Sequence, residues 1–260
     1  MNDDLALALE LADEADALTM ARFRARDLVV DTKPDLTPVS EADRAVEEAL
    51  RRRLARARPG HGVLGEEEGG NRGAEGAWRW VLDPIDGTKS YVRGVPVWAT
   101  LIALQREGQS VVGVVSAPAL GRRWWAARGE GAFAAGTRVR VSSVASLGDA
   151  HLSYPSAAEF DRAGLTDAVL ALERRCWRTR GLGDFWAHAL VAEGALDVAV
   201  EPEVALWDFA AVQLLVEESG GRFSDLEGAP PGDGSSALST NGLLHDQVVA
   251  ALADRSPAPR

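Results

Sequence analysis

Apolar spacing along the chain predicts most of the elements. Leu5, Leu9 and Leu18, with the alanines between them, recur at helical intervals behind an acidic start, which predicts an amphipathic helix over about residues 4–25. Val29 and Val30 predict a short strand, and Pro34 and Pro38 an irregular connection. Ser40, followed three positions on by Asp43, opens a second helix in the manner of a capping box; it runs to about Arg58 and stops at Pro59-Gly60. HGVLG reads as a strand entering the acidic loop EEEGG. WRWVLD reads as a buried strand, with PIDGT as the turn after it. WATLIALQREG and SVVGVVSAPAL form a hairpin, and RRWWAARGEGAFAAGTRVRV a further strand, a glycine turn and a short return strand.

The character changes near residues 136–146, which divides the chain into units 1–136 and 137–260. HLSYP is a strand, followed by a helix from about Glu159 to Arg174. CWRTRGLGDFWAHALVAEGALDVAVEP reads strand, loop, helix, strand. WDFAAVQLLVEESGG is a helix ended by its glycine pair, GRFSD and ALSTN are short strands, and a last helix spans about 245–253 before a frayed SPAPR tail. Strands and helices alternate in both halves, so the fold class is a layered α/β or α+β protein and not a bundle or a β-sandwich.

Composition narrows the function classes. The chain has 260 residues, 46% of them hydrophobic, enough for a sizeable core. A net charge of −11 argues against nucleic-acid or anionic-membrane binding, both of which need a positive footprint. No apolar run approaches the ~18 residues of a membrane span, and the start lacks the basic segment of a secretory signal. The single cysteine, Cys176, fits a reducing compartment, so a soluble cytoplasmic protein is expected. The four histidines are isolated from one another, His188 reads as packing inside a helix, and glycine-rich nucleotide loops are absent.

The chemistry points to carboxylates. Asp83-Pro84-Ile85-Asp86-Gly87-Thr88 follows a buried strand and can aim Asp83, Asp86 and the Ile85 carbonyl into one space. Like charges so placed oppose each other's ionisation unless a cation neutralises them, and oxygen-only ligation favours Mg²⁺, with Mn²⁺ as an option. The plainer alternative is an ordinary capped turn. Glu66, in a glycine-bounded acidic loop, is either one inward carboxylate or solvated surface. Asp208, ahead of FAAVQLLVEES, is a helix N-cap, a metal ligand or both. Together these residues suit two or three ions that acidify a water and stabilise a leaving oxygen. Thr88, oriented by Asp43, would hold and deprotonate that water, and the Gly87 and Thr88 amides would cradle a phosphate.

The order Gly65-Glu66-Glu67, Asp83 to Thr88, then Trp207-Asp208 with Gly220-Gly221 resembles the inositol monophosphatase family over nearly the whole chain. The resemblance implies an alternating α-β-α-β-α layered sandwich, an N-terminal half with most metal ligands, and a C-terminal half that supplies Asp208 and substrate contacts. It implies one Mg²⁺ on Glu66, Asp83 and the Ile85 carbonyl, a second on Asp83, Asp86 and Asp208, and a third that Glu66 helps place through water. Asp43 and Thr88 match the water-activating pair, and Lys33 a basic residue near a mobile metal loop. Asp86, Gly87, Thr88 and Asp208 would also contact the substrate.

Within the family, TKPDLTPVSEADRAVE and TRGLGDFWAHALVAEGALDVAVEPEVALWD resemble the histidinol-phosphatase branch, which implies hydrolysis of L-histidinol phosphate in histidine biosynthesis. Substrate contacts are expected around Arg180, at Asp184 and at Glu201; the two carboxylates suit an ammonium group. An imidazole would stack on Trp186 or Phe185, while Trp98 and Arg93 lie near the active turn. The plainer alternative has Asp184 capping the helix and Trp186 in the core. Rival substrates are inositol 1-phosphate, fructose 1,6-bisphosphate and a 3′-phosphoadenosine nucleotide. A rival of another class is a non-catalytic phosphometabolite sensor. The resemblance also implies a homodimer.

Overall fold

The computed structural model describes residues 3–34, 37–71 and 77–253; the tail expected to fray, 256–260, lies outside them. Helix α1 spans Asp3–Arg22 and α2 spans Glu41–Ala57, on either side of an antiparallel hairpin of β1 (Val30–Thr32) and β2 (Pro38–Ser40). The Ser40 hydroxyl accepts the Ala42 N–H, and Asp43 returns a carboxylate oxygen to the Ser40 N–H at 2.8 Å. The Ser40–Asp43 spacing therefore does cap α2.

Next come β3 (Gly62–Gly65), β4 (Gly69–Asn71), β5 (Trp78–Asp86), helix α3 (Thr88–Val92), β6 (Ala99–Arg106), β7 (Gln109–Ala117), β8 (Arg122–Ala127), β9 (Gly131–Ala134) and β10 (Thr137–Arg138). They make an eight-stranded sheet in the order β10-β9-β8-β7-β6-β5-β3-β4. Its two faces follow the strand period: Trp80, Leu82, Ile102 and Leu104 pack with α1 and α2, while Val81, Leu101 and Ala103 face the other way.

The chain continues through β11 (His151–Ser153), α4 (Ala157–Arg162), α5 (Thr166–Arg175), β12 (Arg178–Thr179), α6 (Asp184–Ala192), β13 (Val198–Val204), α7 (Leu206–Glu218), β14 (Arg222–Ser224), β15 (Ser235–Thr240) and α8 (His245–Ala253). Its five strands form a second sheet, β12-β11-β13-β15-β14. Helices α6 and α7 lie between the sheets, and Phe185, Val191, Phe209 and Leu215 share one apolar cluster with Leu101, Val115, Ala199 and Ala237. On the far face, Val198, Val200 and Leu238 pack against Phe160, Leu172 and Val248 of α4, α5 and α8. The layers are α-β-α-β-α. The division expected at residue 136 falls inside the large sheet, between β9 and β10, and the largest apolar cluster draws from both sides of it.

Two elements differ from the expectation. The helix over 159–174 is two helices, because the Leu165 N–H folds back onto the Phe160 carbonyl at 2.8 Å and closes α4 early. More consequentially, β5 does not end before PIDGT. It runs on to Asp86, pairing Asp83 with Leu101 and Asp86 with Ala99 across an irregularity in register. Pro84 has no N–H to offer the ladder, and its carbonyl accepts the Thr100 hydroxyl at 2.7 Å.

Candidate active site

That bulge turns two carboxylates at the end of a central strand toward one place. Gly87 follows with φ +83°, and a Cβ there would sit 3.0 Å from the Val97 carbonyl, so a side chain is excluded both by space and by backbone. The first intrahelical bonds of α3 run from Ser90 and Tyr91 to the Gly87 carbonyl. The amides of Thr88 and Lys89 thus precede them, at the edge of the cleft.

Asp208 arrives from the opposite half. It is not the N-cap of α7: Ala205 holds that place, and Asp208, three residues in, reaches back to accept the Ala205 N–H at 2.7 Å. One oxygen is engaged and the other is available. Oxygens of Asp83, Asp86 and Asp208 lie within 4.8 Å of one another. Burial, followed by the neighbouring carboxylates, pushes Asp83 and Asp86 well above the ordinary range. Burial likewise raises Asp208 to about 7, even though the Ala205 amide works in the opposite direction.

Glu66 follows β3, its N–H on the Leu82 carbonyl at 3.2 Å. Lys33, from the β1–β2 connection, meets Glu66 and Glu67 at 2.7 Å each. Burial works against the charge of Lys33, but the two glutamates hold its pKa above the usual value. Asp43 is buried on α2, with its other oxygen 3.2 Å from the Thr88 hydroxyl, which also donates to the Ile85 carbonyl at 2.8 Å. Burial raises the Asp43 pKa, only partly offset by the two Ser40 hydrogen bonds.

A cleft of about 690 Å³ is lined by Glu66, Asp86, Gly87, Thr88, Asp184, Glu201 and Asp208 together with Phe185, His188 and Trp207. Asp184 is the first residue of α6, not its cap, and takes φ +50°. Among the described residues its carboxylate has no ion pair or hydrogen bond, and burial, then Glu201, raises it to about 6. Arg180 does not come to the cleft: it is exposed, with its guanidinium on the Thr179 carbonyl. Arg93 is exposed outside the cleft, and Trp98 is fully buried beside Ile85 and Tyr91. Trp186 packs against the core and Phe185 is fully buried in it, so among the described residues Trp207 is the half-buried aromatic of the cleft lining.

His188, read from the sequence as packing inside a helix, is indeed buried, but it also reaches the cleft. Its Nδ1 lies 2.6 Å from the Ser239 hydroxyl and its Nε2 3.5 Å from Glu201, at the cleft wall. The available signal was its position four residues after Asp184, which puts both on one face of α6.

The cluster is suited to a hard cation. Asp83 Oδ1 is buried with no hydrogen-bond partner, an expensive arrangement unless a positive charge satisfies it. The three groups that converge in the cluster all offer carboxylate oxygen, as Mg²⁺ prefers.

A sequence profile of the inositol monophosphatase family matches residues 1–256. The chain is 57% identical over 256 residues to the histidinol-phosphatase of Mycobacterium tuberculosis, covering 96% of this chain and 98% of that protein. It is 54% identical over 262 residues to the histidinol-phosphatase of Streptomyces coelicolor, with 97% and 98% covered. Among solved structures, the extragenic suppressor protein suhB of Bartonella henselae superposes with a TM-score of 0.90 at 28% identity, covering 98% of this chain and 100% of that one. The Thermotoga maritima IMPase superposes at 0.86 with 31% identity, covering 96% and 97%.

Proposed function

The chain belongs to the inositol monophosphatase family, and from that membership we propose that it is a divalent-metal-dependent phosphomonoesterase that hydrolyses L-histidinol phosphate to L-histidinol and phosphate. The observation that carries the substrate is Asp184 and Glu201 on the wall of the cleft that holds the aspartate cluster. Histidinol phosphate brings an ammonium group to that wall, where inositol 1-phosphate brings only hydroxyls. The 57% identity to a histidinol-phosphatase over nearly the whole chain supports the same reading.

Asp83, Asp86, Asp208, Glu66 and the Ile85 carbonyl would hold two or three Mg²⁺, with Mn²⁺ as a substitute. When bound, the ions acidify a water and neutralise charge on the leaving oxygen. The protein's own groups do the rest. Thr88 Oγ1 accepts a proton from the attacking water and passes its own toward Asp43, whose buried carboxylate is disposed to take one. The amides of Gly87 and Thr88 would face the phosphate, and Trp207 would offer a face to an imidazole. Homodimeric assembly and a cytoplasmic location belong to this reading through the family resemblance. Among the described residues, no helix is long and apolar enough to cross a membrane.

The deciding experiment is turnover of histidinol phosphate, inositol 1-phosphate, fructose 1,6-bisphosphate and a 3′-phosphoadenosine nucleotide, each with and without Mg²⁺. Histidinol phosphate should show the highest kcat/KM, and only with metal. A higher value for inositol 1-phosphate would reject the substrate assignment.

A further inference from the structure

The geometry points to Glu47, anchored by Arg51, as the positioning residue that fixes the Glu66 loop for ion binding, an inference that rests on the proposed role of Glu66 as a ligand. Glu47 lies on α2, outside the cleft, and is fully buried. One of its carboxylate oxygens accepts the Glu67 N–H at 2.8 Å, and the other accepts the Glu68 N–H at 3.1 Å. Arg51, one helical turn on, donates to Glu47 at 2.8 Å and also to the Gly69 carbonyl.

The loop is therefore held at both ends. Before Glu66, its own N–H continues the ladder to Leu82; after it, two successive amides end on Glu47 and the exit carbonyl on Arg51. Glu66 has little backbone freedom left between these points. Gly65 completes the arrangement, because a Cβ there would stand 2.2 Å from the Glu47 carboxylate. The absent side chain is what lets a helix-borne carboxylate reach under the strand end.

The chemistry suits positioning better than mere packing. A buried carboxylate is costly, and an apolar residue of the same size would leave the Glu67 and Glu68 amides without an acceptor. The arrangement also sets Glu47, Glu66, Glu67 and Glu68 close together with two cations, Arg51 and Lys33, divided between them. Outer groups of this kind tune ion affinity by about 10–100-fold.

The test is Mn²⁺ binding to the full chain without substrate, followed by calorimetry and electron paramagnetic resonance, with Glu66→Gln identifying the site that depends on Glu66. Glu47→Gln keeps the shape but has one oxygen for two amides, and should weaken that same site by about 10-fold or more while the three-aspartate site stays within about twofold. Arg51→Lys keeps the charge but cannot span Glu47 and Gly69, and should shift the same site in the same direction. In the metal-free wild type, the Glu67 and Glu68 amides should resist hydrogen exchange. Wild-type Mn²⁺ affinity in either folded variant overturns the inference, as do unprotected Glu67 and Glu68 amides. If Glu66→Gln leaves every site unchanged, the ligand role of Glu66 fails first, and the positioning role with it.

Discussion

Asp86, at the end of β5, caps a helix in the other half of the chain: its Oδ2 accepts the Phe185 N–H at 2.6 Å, across 99 residues of sequence. One carboxylate thus joins the aspartate cluster and ties α6, which carries Asp184 and His188, to the strand that carries Asp83. Substrate wall and cluster are registered through a single side chain.

Replacing Asp86 separates these two duties. Asp86→Asn keeps an oxygen for Phe185 and removes a charge that burial and its neighbours oppose, so the metal-free chain should be at least as stable to urea as wild type, while Mg²⁺-dependent turnover falls by orders of magnitude. Asp86→Ala loses the cap as well and should cost a further 1–2 kcal/mol or so. Equal stability of the two variants would mean that the contact does not hold α6.

Asp83→Asn should trade function against stability. Buried Asp83 is opposed by its carboxylate neighbours, so removing its charge should raise the melting temperature of the metal-free protein. The same change should abolish stabilisation by Mg²⁺ along with turnover. A variant that Mg²⁺ still stabilises as strongly as wild type would contradict the ligand assignment.

Asp184→Asn removes a charge facing the substrate and leaves the aspartate cluster intact. Losing one charge-assisted contact of about 1.5–3 kcal/mol predicts a rise in KM for histidinol phosphate of roughly 10–100-fold, with kcat changed far less. Phosphate esters without an ammonium group should be nearly unaffected. An unchanged KM would remove Asp184 from substrate recognition.

His245 supplies a pH dependence remote from the cleft. Ser224 commits its hydroxyl proton to the Asp225 carbonyl and so accepts from His245 Nε2 at 3.0 Å, while Nδ1 faces Thr240 at 3.0 Å. This suits the neutral ring, and burial lowers its pKa to about 4. Between pH 6.5 and 4 the unfolded chain takes up a proton that the folded chain refuses. Stability should therefore be full above about pH 6.5 and decline by on the order of 2 kcal/mol as pH falls to 4. Urea titrations at pH 7 and 4.5 should show a smaller loss in His245→Gln than in wild type; identical losses would assign the effect elsewhere.

The carboxylates of the cleft and of its aspartate cluster were legible without coordinates because each sits in a distinctive local string: glycine-bounded glutamates, Asp-Pro-Ile-Asp-Gly-Thr, and Trp-Asp before a long apolar helix. Capping of α2 by Ser40 and Asp43 was equally legible, since both partners lie within one turn. Apolar periodicity also gave the strands of the large sheet and the layered class, because a side chain's face depends on its own position in the strand. What stayed hidden depends on distant partners. The extension of β5 through Pro84 exists only because β6 pairs with it beyond the irregularity, and Asp208 reads as an N-cap until Ala205 is seen to hold that place. Arg180 sits in a motif that suggests substrate contact, yet the fold leaves it on the surface; His188 packs as its helix suggests, but its place beside Glu201 at the cleft wall depends on a strand far along the chain. Which residue types are available for the chemistry follows from the order of amino acids alone, since bonding capacity is a property of the side chain. Which of them share a cavity and which support the others is set by the folded chain, because burial and neighbouring charge arise when segments far apart in the chain pack together.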